Sequence, residues 1–280
     1  MRSLIGKIQE SICSIIEICM LVSTLFLPKI LNATGWIELC FKTENINFDN
    51  IVYYILLQKG NYFIGLVVFC LVLVEIRKFN KEKLFNTKNV YHDYPYIWYW
   101  FCAKILGYKK CNLKLVPIYM QFKLGLRDTF NKYDVGSDND YPTKDDEIID
   151  VYKKNFDHIS NEINLILADT YPLSEDQLPL NKKRLATIII ERDKGNVSRY
   201  FSPNFIEKIV NEVRGLPDNV KAINVYATTN PKHTLKIACD VFKMAERGNI
   251  ERLVVFQQEP NGCRRFSKSG KIIFGRHILG

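Results

Sequence analysis

The sequence lacks the residue spacings by which most enzymes and metal sites are identified. It contains no GxGxxG, no Walker lysine motif, no GxSxG and no HExxH. Its eight cysteines include no CxxC pair, and its four histidines are scattered along the chain. We therefore predict no metal site, no cofactor and no disulfide framework, and these cysteines suit a reduced compartment. No catalytic residue is predicted, although the absence of motifs leaves enzyme activity open.

Two long apolar stretches near the N-terminus are the clearest feature that is present. The first covers residues 11–27 and contains a single charge, Glu17. The second covers residues 51–76, or the latter part of that range, and is followed at once by Arg77 and Lys78. Each is about as long as a helix that crosses a bilayer. The sequence therefore predicts a two-helix transmembrane hairpin within residues 1–80.

Three details of this hairpin have alternative interpretations. A signal peptide competes for the first stretch, but its length and the poor cleavage site at residues 31–34 favour a retained span. Glu17 either reaches water at the membrane interface, which we favour, or makes a buried polar contact. The interruption at Lys59 indicates either an interfacial segment before a shorter span or one tilted helix.

The distribution of positive charge predicts the orientation of the hairpin. Positive residues are more frequent after the second stretch than in the loop between the stretches: Arg77, Lys78, Lys81, Lys83 and Lys88 against Lys29, Lys42 and Lys59. Cytoplasmic segments carry the excess of lysine and arginine, so both termini are predicted to be cytoplasmic in a multi-pass membrane protein. The lipid bilayer is then one partner, and a homo-oligomer through the hairpin is another that this layout allows.

Residues 81–133 form a membrane-proximal segment that is rich in aromatic and basic side chains. Two of the three tryptophans, Trp98 and Trp100, lie in it among several tyrosines. Tryptophan and tyrosine favour the headgroup layer, so residues 95–108 are predicted to form a helix on the membrane surface or against the hairpin. An ordinary core helix is the alternative. Residues 112–133 suggest a strand followed by a short helix.

The remaining residues, 134–280, read as a cytosolic α/β domain. Continuous apolar runs at residues 163–168, 185–190, 222–227 and 253–256 predict buried strands, and helical patterns lie between several of them. Two helices are predicted to begin at the cap-and-proline pairs Ser202-Pro203 and Asn230-Pro231. A further helix is predicted over residues 144–161. This order indicates a three-layer domain with a mostly parallel sheet and an antiparallel edge from the last strands.

Polar residues follow the predicted strands at the edge where open α/β sheets bind ligands. The start of the second predicted helix offers free N–H groups and the positive end of a dipole, which together suit an anion. We therefore predict a ligand site from the residues at these strand ends: Thr228, Thr229, Asn230, Lys232, His233, Arg192 and Arg199. Good helix capping without a ligand is the alternative interpretation of Asn230-Pro231.

Three functions fit these patterns. Residues 180–280 contain 19 Lys and Arg against 9 Asp and Glu, so the leading hypothesis is a membrane-anchored sensor or effector for an anionic, nucleotide-like ligand. Nucleic acid stays open as a partner. The layout is similar to membrane effectors that respond to cytosolic nucleotide signals, although layout does not determine function. The alternatives are an assembly protein that docks on partner proteins and a Mg²⁺-dependent phosphoesterase or nuclease using Asp169, Glu191 and Asp193.

Overall fold

The computed structural model of the chain describes residues 2–40, 51–87, 90–137, 139–144, 148–192, 199–259 and 264–275. The chain divides into two compact units. One unit comprises Met1–Val90 with Ile97–Cys111, and the other comprises Tyr91–Tyr96 with Asn112–Gly280. The division that the sequence predicts at residues 80 and 133 stays a prediction.

The first unit is built on an antiparallel pair of long helices. Its helices are α1 (Arg2–Ile30), α2 (Ala33–Cys40), α3 (Ile51–Asn80) and α4 (Tyr96–Lys104). Near one end of the pair the Asn80 side chain donates to Glu17, and towards the other end the Thr34 backbone N–H donates to the Asn61 side chain. Helix α3 runs through Lys59 without a break, which favours the single-helix interpretation of this stretch. The predicted hairpin of helices is therefore present.

One stretch of this helical pair has the length and the apolar composition of a membrane span. Among the described residues, Ile12–Ile30 is the one helical stretch found to be long and apolar enough to cross a bilayer, with a mean hydropathy of 1.8. The second span stays a prediction. Helix α2 lies within the range predicted to be a connecting loop, and residues 41–50 of that range lie outside the described residues.

The position of Glu17 corrects one expectation. We favoured a side chain that reaches water, but Glu17 is only 8% exposed. Its carboxylate accepts hydrogen bonds from the Asn80 amide at 2.9 Å and from the Tyr108 hydroxyl at 3.3 Å. Glu17 therefore makes the buried polar contact that was the less favoured alternative, because two donors from distant parts of the chain converge on it.

The second unit contains a six-stranded mixed sheet. Besides the short strands β1 (Lys110–Asn112) and β2 (Lys132–Asp134), the chain has β3 (Ile149–Lys154), β4 (Glu162–Ala168), β5 (Thr187–Arg192), β6 (Ala222–Ala227), β7 (Arg252–Phe256) and β8 (Lys271–Gly275). The strand order is β3-β5-β4-β6-β7-β8. The four central strands are parallel, and β3 and β8 are antiparallel edges. The predicted central strands and the antiparallel edge near the C-terminus are confirmed.

The helices of this unit are α5 (Ile118–Leu126), α6 (Pro203–Arg214), α7 (Pro231–Ile237) and α8 (Lys243–Arg247). A π-helical segment, Ala238–Phe242, joins α7 to α8. Both predicted caps are present: the Ser202 hydroxyl accepts from the Phe205 N–H at 3.1 Å, and the Asn230 side chain accepts from the His233 N–H at 2.9 Å. These helix starts follow from local side-chain chemistry, which is why the sequence predicts them well.

Helices cover one face of the sheet, which corrects the three-layer prediction. The large core joins one face of the strands to helical residues such as Phe122, Phe205 and Phe242. The smaller core on the other face packs strand residues against Leu178 and Phe266, which belong to the connections after β4 and β7. Within the described ranges this second layer is made of loops and one 3₁₀ turn. Strands that are apolar on both faces predict that each face of the sheet is covered. They do not indicate whether helices or loops form the covering layer.

The helix predicted over residues 144–161 is wrong. Six residues of that range, Ile149–Lys154, form β3 and pair with β5 in antiparallel register, and turns follow up to residue 161. Ile148 and Tyr152, which are four residues apart and suggest a helix face, are both largely exposed. An edge strand needs only one weakly buried face, so its apolar spacing is ambiguous until its neighbour is known.

Candidate functional site

The candidate site lies where the strand order of the parallel sheet reverses. Strands β4 and β6 are neighbours, yet the chain leaves β4 for β5 on one side and leaves β6 for β7 on the other. The two connections therefore diverge beyond the carboxyl ends of β4 and β6. Open α/β sheets bind ligands at this kind of switch point.

Hydrogen bonds join the two loops at the switch point. The Thr170 N–H donates to the Thr228 carbonyl at 3.2 Å, and the Thr170 hydroxyl donates to the same carbonyl. The Thr228 hydroxyl in turn donates to the Tyr171 carbonyl at 2.9 Å. Thr229 shares a hydrogen bond of 2.7 Å with the Thr234 hydroxyl. Thr228 thus holds the two loops together, whereas Thr229 stabilises the start of α7, and each of the two is 8% exposed.

The Asp169 carboxylate is the centre of a fully buried polar cluster behind these loops. One oxygen, Oδ1, accepts from Arg192 through Nε at 2.7 Å and contacts Nη2 at 2.6 Å. The other oxygen, Oδ2, accepts from the Asn230 backbone N–H at 2.9 Å and from the Asn230 side chain at 3.2 Å. It also contacts His233 Nδ1 at 2.7 Å. Four donor groups from two distant strand ends therefore surround one carboxylate.

The contacts of His233 determine its tautomer. Its Nε2 accepts a hydrogen bond from the Ser202 N–H at 2.8 Å. The ring proton therefore lies on Nδ1, where it donates to Asp169. The imidazole is buried between the rings of Phe201 and Phe205, with centroid distances of 5.0 and 5.3 Å. His233 thus links the helix starts after β5 and β6 to Asp169.

Three of the residues that we assigned to a ligand surround the protein's own Asp169 carboxylate. Arg192, Asn230 and His233 are the donors that we assigned to a ligand, and all three bind Asp169 instead. Their exposed fractions are 1%, 4% and 0%. The sequence contains the relevant signal, because Asp169 directly follows a predicted strand, yet we considered it only as a metal ligand. These three residues are positioned to hold the site's loops.

Four accessible cations surround this cluster at the carboxyl edge of the sheet, and we call them the basic rim: Lys144, Arg199, Lys232 and Arg264. Three of them lie beside aromatic rings, with cation-to-centroid distances of 4.4 Å for Lys144 and Tyr200, 5.0 Å for Lys232 and Phe201, and 4.8 Å for Arg264 and Tyr171. Cations interleaved with aromatic rings suit ligands that combine phosphates with flat bases. The sequence gives no signal for Lys144, which reaches the rim through its backbone hydrogen bond to Phe201.

Two of the three carboxylates proposed for a magnesium site, those of Asp169 and Glu191, do not face a common point. Asp169 is buried against Arg192, whereas Glu191 precedes Arg192 in the same strand and therefore points to the opposite face. Asp193 lies outside the described residues. No group of His, Cys, Asp and Glu side chains that could hold a metal ion is found among the residues that were described.

Comparison with known proteins gives a family match and, among the similar solved structures, two complexes of one receptor. The model of a family described as SMODS- and Ubiquitin system-associated 2TM effector domain matches residues 2–273. The structures are those of the Cap4 SAVED/CARF-domain containing receptor of Acinetobacter baumannii, with the cyclic trinucleotides 3'3'3'-cAAA and 2'3'3'-cAAA. Both have a TM-score of 0.45 and identities of 8% and 7%, and they cover 62% of this chain but only 41% and 40% of the receptor chains. No curated protein of similar sequence was found.

Proposed function

The chain belongs to the SMODS- and Ubiquitin system-associated 2TM effector domain family, and we propose that it is a membrane effector whose α/β unit binds an anionic, nucleotide-like ligand. The family description supports the membrane anchor and the effector role. The ligand class rests on the cations and the aromatic rings of the carboxyl edge. The assembly-protein and enzyme hypotheses have no comparable observation in their favour.

The observation that carries the proposal is the basic rim at the switch point. The Asp169 charge below it is paired with Arg192, and the four rim cations lie at the accessible edge above that pair. Lys232 and Arg199, which were predicted as ligand contacts, are both accessible there. Hydrogen bonds from such cations to phosphate are about twice as strong as neutral ones. We therefore assign phosphate contacts to Lys232 and Arg199, and base stacking to the neighbouring aromatic rings.

Calorimetric titration of the detergent-solubilised full chain tests the ligand class. Suitable probes are inorganic phosphate, ATP, linear oligoadenylates and a cyclic trinucleotide. We expect a nucleotide to bind and Lys232→Glu to weaken that binding about 10- to 100-fold, because a charged hydrogen bond contributes roughly 1.5–3 kcal/mol.

Lys208→Glu is the matched control, since Lys208 is an exposed lysine of α6 and the change in net charge is the same. This control should leave the affinity within about two-fold because screening weakens charges beyond roughly 10 Å. Equal losses of affinity in both variants would mean that the net positive charge of the protein attracts the nucleotide, without a specific contact at Lys232. A lack of heat with every nucleotide would contradict the proposal.

The same proposal predicts the topology of the anchor, with both termini in the cytoplasm. Exposed apolar residues such as Leu66, Leu71 and Val74 support α3 as the second span. After the native cysteines are replaced, Leu39→Cys should react with an impermeant maleimide in intact cells, whereas Ser137→Cys should react only after lysis. The reason is the excess of lysine and arginine that follows α3. Labelling of Ser137→Cys in intact cells would refute this orientation.

A further inference from the structure

Helix α4 presents large apolar side chains on its outer face. Ile97 is 66% exposed and Trp100 is 39% exposed, and they lie one helical turn apart. Tyr99, Cys102 and Ala103, on the inner face, are buried in the first unit. An exposed tryptophan and isoleucine on one face of a short helix form a surface that suits an apolar or amphipathic environment.

The C-terminal end of α4 is held by the hairpin. Arg77 of α3 donates through Nη1 to the carbonyl oxygens of Lys104 at 2.6 Å and Ile105 at 3.2 Å. One turn further along α3, the Asn80 side chain donates to the Leu106 carbonyl at 3.0 Å. These donors satisfy carbonyl groups that a helix end leaves free, and the Arg77 charge complements the negative end of the helix dipole.

The contacts of Glu17 indicate at which depth along α1 the C-terminal end of α4 is attached. It binds both Asn80 and Tyr108, so the chain after α4 lies beside Glu17. Glu17 is five residues inside the apolar stretch that begins at Ile12, which corresponds to about 7 Å along a helix. The 19 residues from Ile12 to Ile30 are about 28 Å long, close to the roughly 30 Å of the hydrocarbon core, so this end of α4 lies in the outer part of the acyl chains, next to the headgroup layer.

We propose that α4 is an interfacial helix that inserts Ile97 and Trp100 into the headgroup layer of an anionic bilayer. Tryptophan is favoured at this depth because its ring is apolar and its N–H is polar. Lys81 and Lys83 are exposed at the end of α3 and provide the charge that attracts anionic headgroups. This inference rests on the membrane anchoring proposed above, but it does not depend on the ligand of the α/β unit.

Tryptophan fluorescence of the full chain in lipid vesicles tests the proposal, since the sequence contains only three tryptophans. The variant Trp36→Phe/Trp98→Phe retains Trp100 alone. In vesicles of phosphatidylcholine and phosphatidylglycerol, lipids brominated near the headgroup end of the acyl chain should reduce its emission roughly two-fold. Lipids brominated near the bilayer centre should quench it less. Replacing phosphatidylglycerol by more phosphatidylcholine should weaken the quenching, because the nearby lysines lose their anionic partners.

A second variant separates failure of this inference from failure of the anchor. Phe63 of α3 is 63% exposed, and Phe63→Trp in a background without other tryptophans reports insertion of the hairpin. Quenching of this probe by lipids together with free access of aqueous acrylamide to Trp100 would overturn the interfacial helix alone. The absence of lipid quenching for both probes would overturn the anchor as well. Protection of Trp100 that depends on the protein-to-lipid ratio would indicate a second copy instead, and equal quenching without phosphatidylglycerol would refute the anionic requirement.

Discussion

Replacement of Asp169 by asparagine is expected to lower the free energy of unfolding of the α/β unit by about 3–5 kcal/mol. The carboxylate is fully buried and is the acceptor for Arg192, His233 and Asn230. An amide of the same shape removes the buried negative charge that faces the Arg192 guanidinium at 2.7 Å, and it offers one acceptor oxygen where the carboxylate offers two. Breaking a buried pair by removing one partner is among the most costly single changes in proteins.

Pulse proteolysis of the solubilised full chain across a urea series measures this free energy. Tryptophan emission is unsuitable, because Trp36, Trp98 and Trp100 all belong to the first unit. The control is Asp240→Asn, which removes the carboxylate of an exposed helical pair with Lys236 and should cost at most about 0.5 kcal/mol. The double variant Asp169→Leu/Arg192→Met should recover part of the loss, since both buried charges are then absent. Equal and small effects of Asp169→Asn and Asp240→Asn would contradict this account.

Gly65→Leu is expected to open the helical hairpin. Gly65 lies where α3 packs directly against the backbone of α1: a Cβ atom at this position would be 2.6 Å from the backbone oxygen of Leu25. That neighbour is backbone within a helix, so the helices themselves must separate. Small residues are what allow helices to approach closely where lipid provides no hydrophobic driving force. Overpacking of this kind costs about 1–3 kcal/mol, which corresponds to a roughly 5- to 150-fold larger open population.

Thiol accessibility in detergent measures the opening of the hairpin. Leu21 is buried at 4% exposure, so Leu21→Cys in a background without the native cysteines reacts when α1 and α3 separate. Gly65→Leu should accelerate this reaction about ten-fold or more. Val67→Leu is the control, because Val67 belongs to the same helix and is 45% exposed. If the two variants react at similar rates, the close contact at Gly65 does not hold the hairpin together.

Local chemistry explains the parts of the fold that were predicted well. Strand β6 has the predicted bounds, because a continuous apolar run that is buried on both faces has few alternatives. The helix starts at Ser202 and Asn230 are encoded by a capping side chain followed by proline. The basic character of the carboxyl edge was also visible, since Arg199 and Lys232 lie in the segments that follow β5 and β6.

The sequence by itself determined the apolar hairpin, the parallel strands, the capped helices and the residue types at the carboxyl edge, because each depends on neighbours within a few positions. The tertiary structure decided that β3 is a strand, that loops cover one face of the sheet and that Glu17 is buried. It also decided that Asp169 binds three of the residues that we had assigned to a ligand. Asp169 meets His233 across 64 residues of chain, and Glu17 meets Asn80 across 63. Contacts at such separations depend on how the strands and helices pack, and no local pattern of residues encodes them.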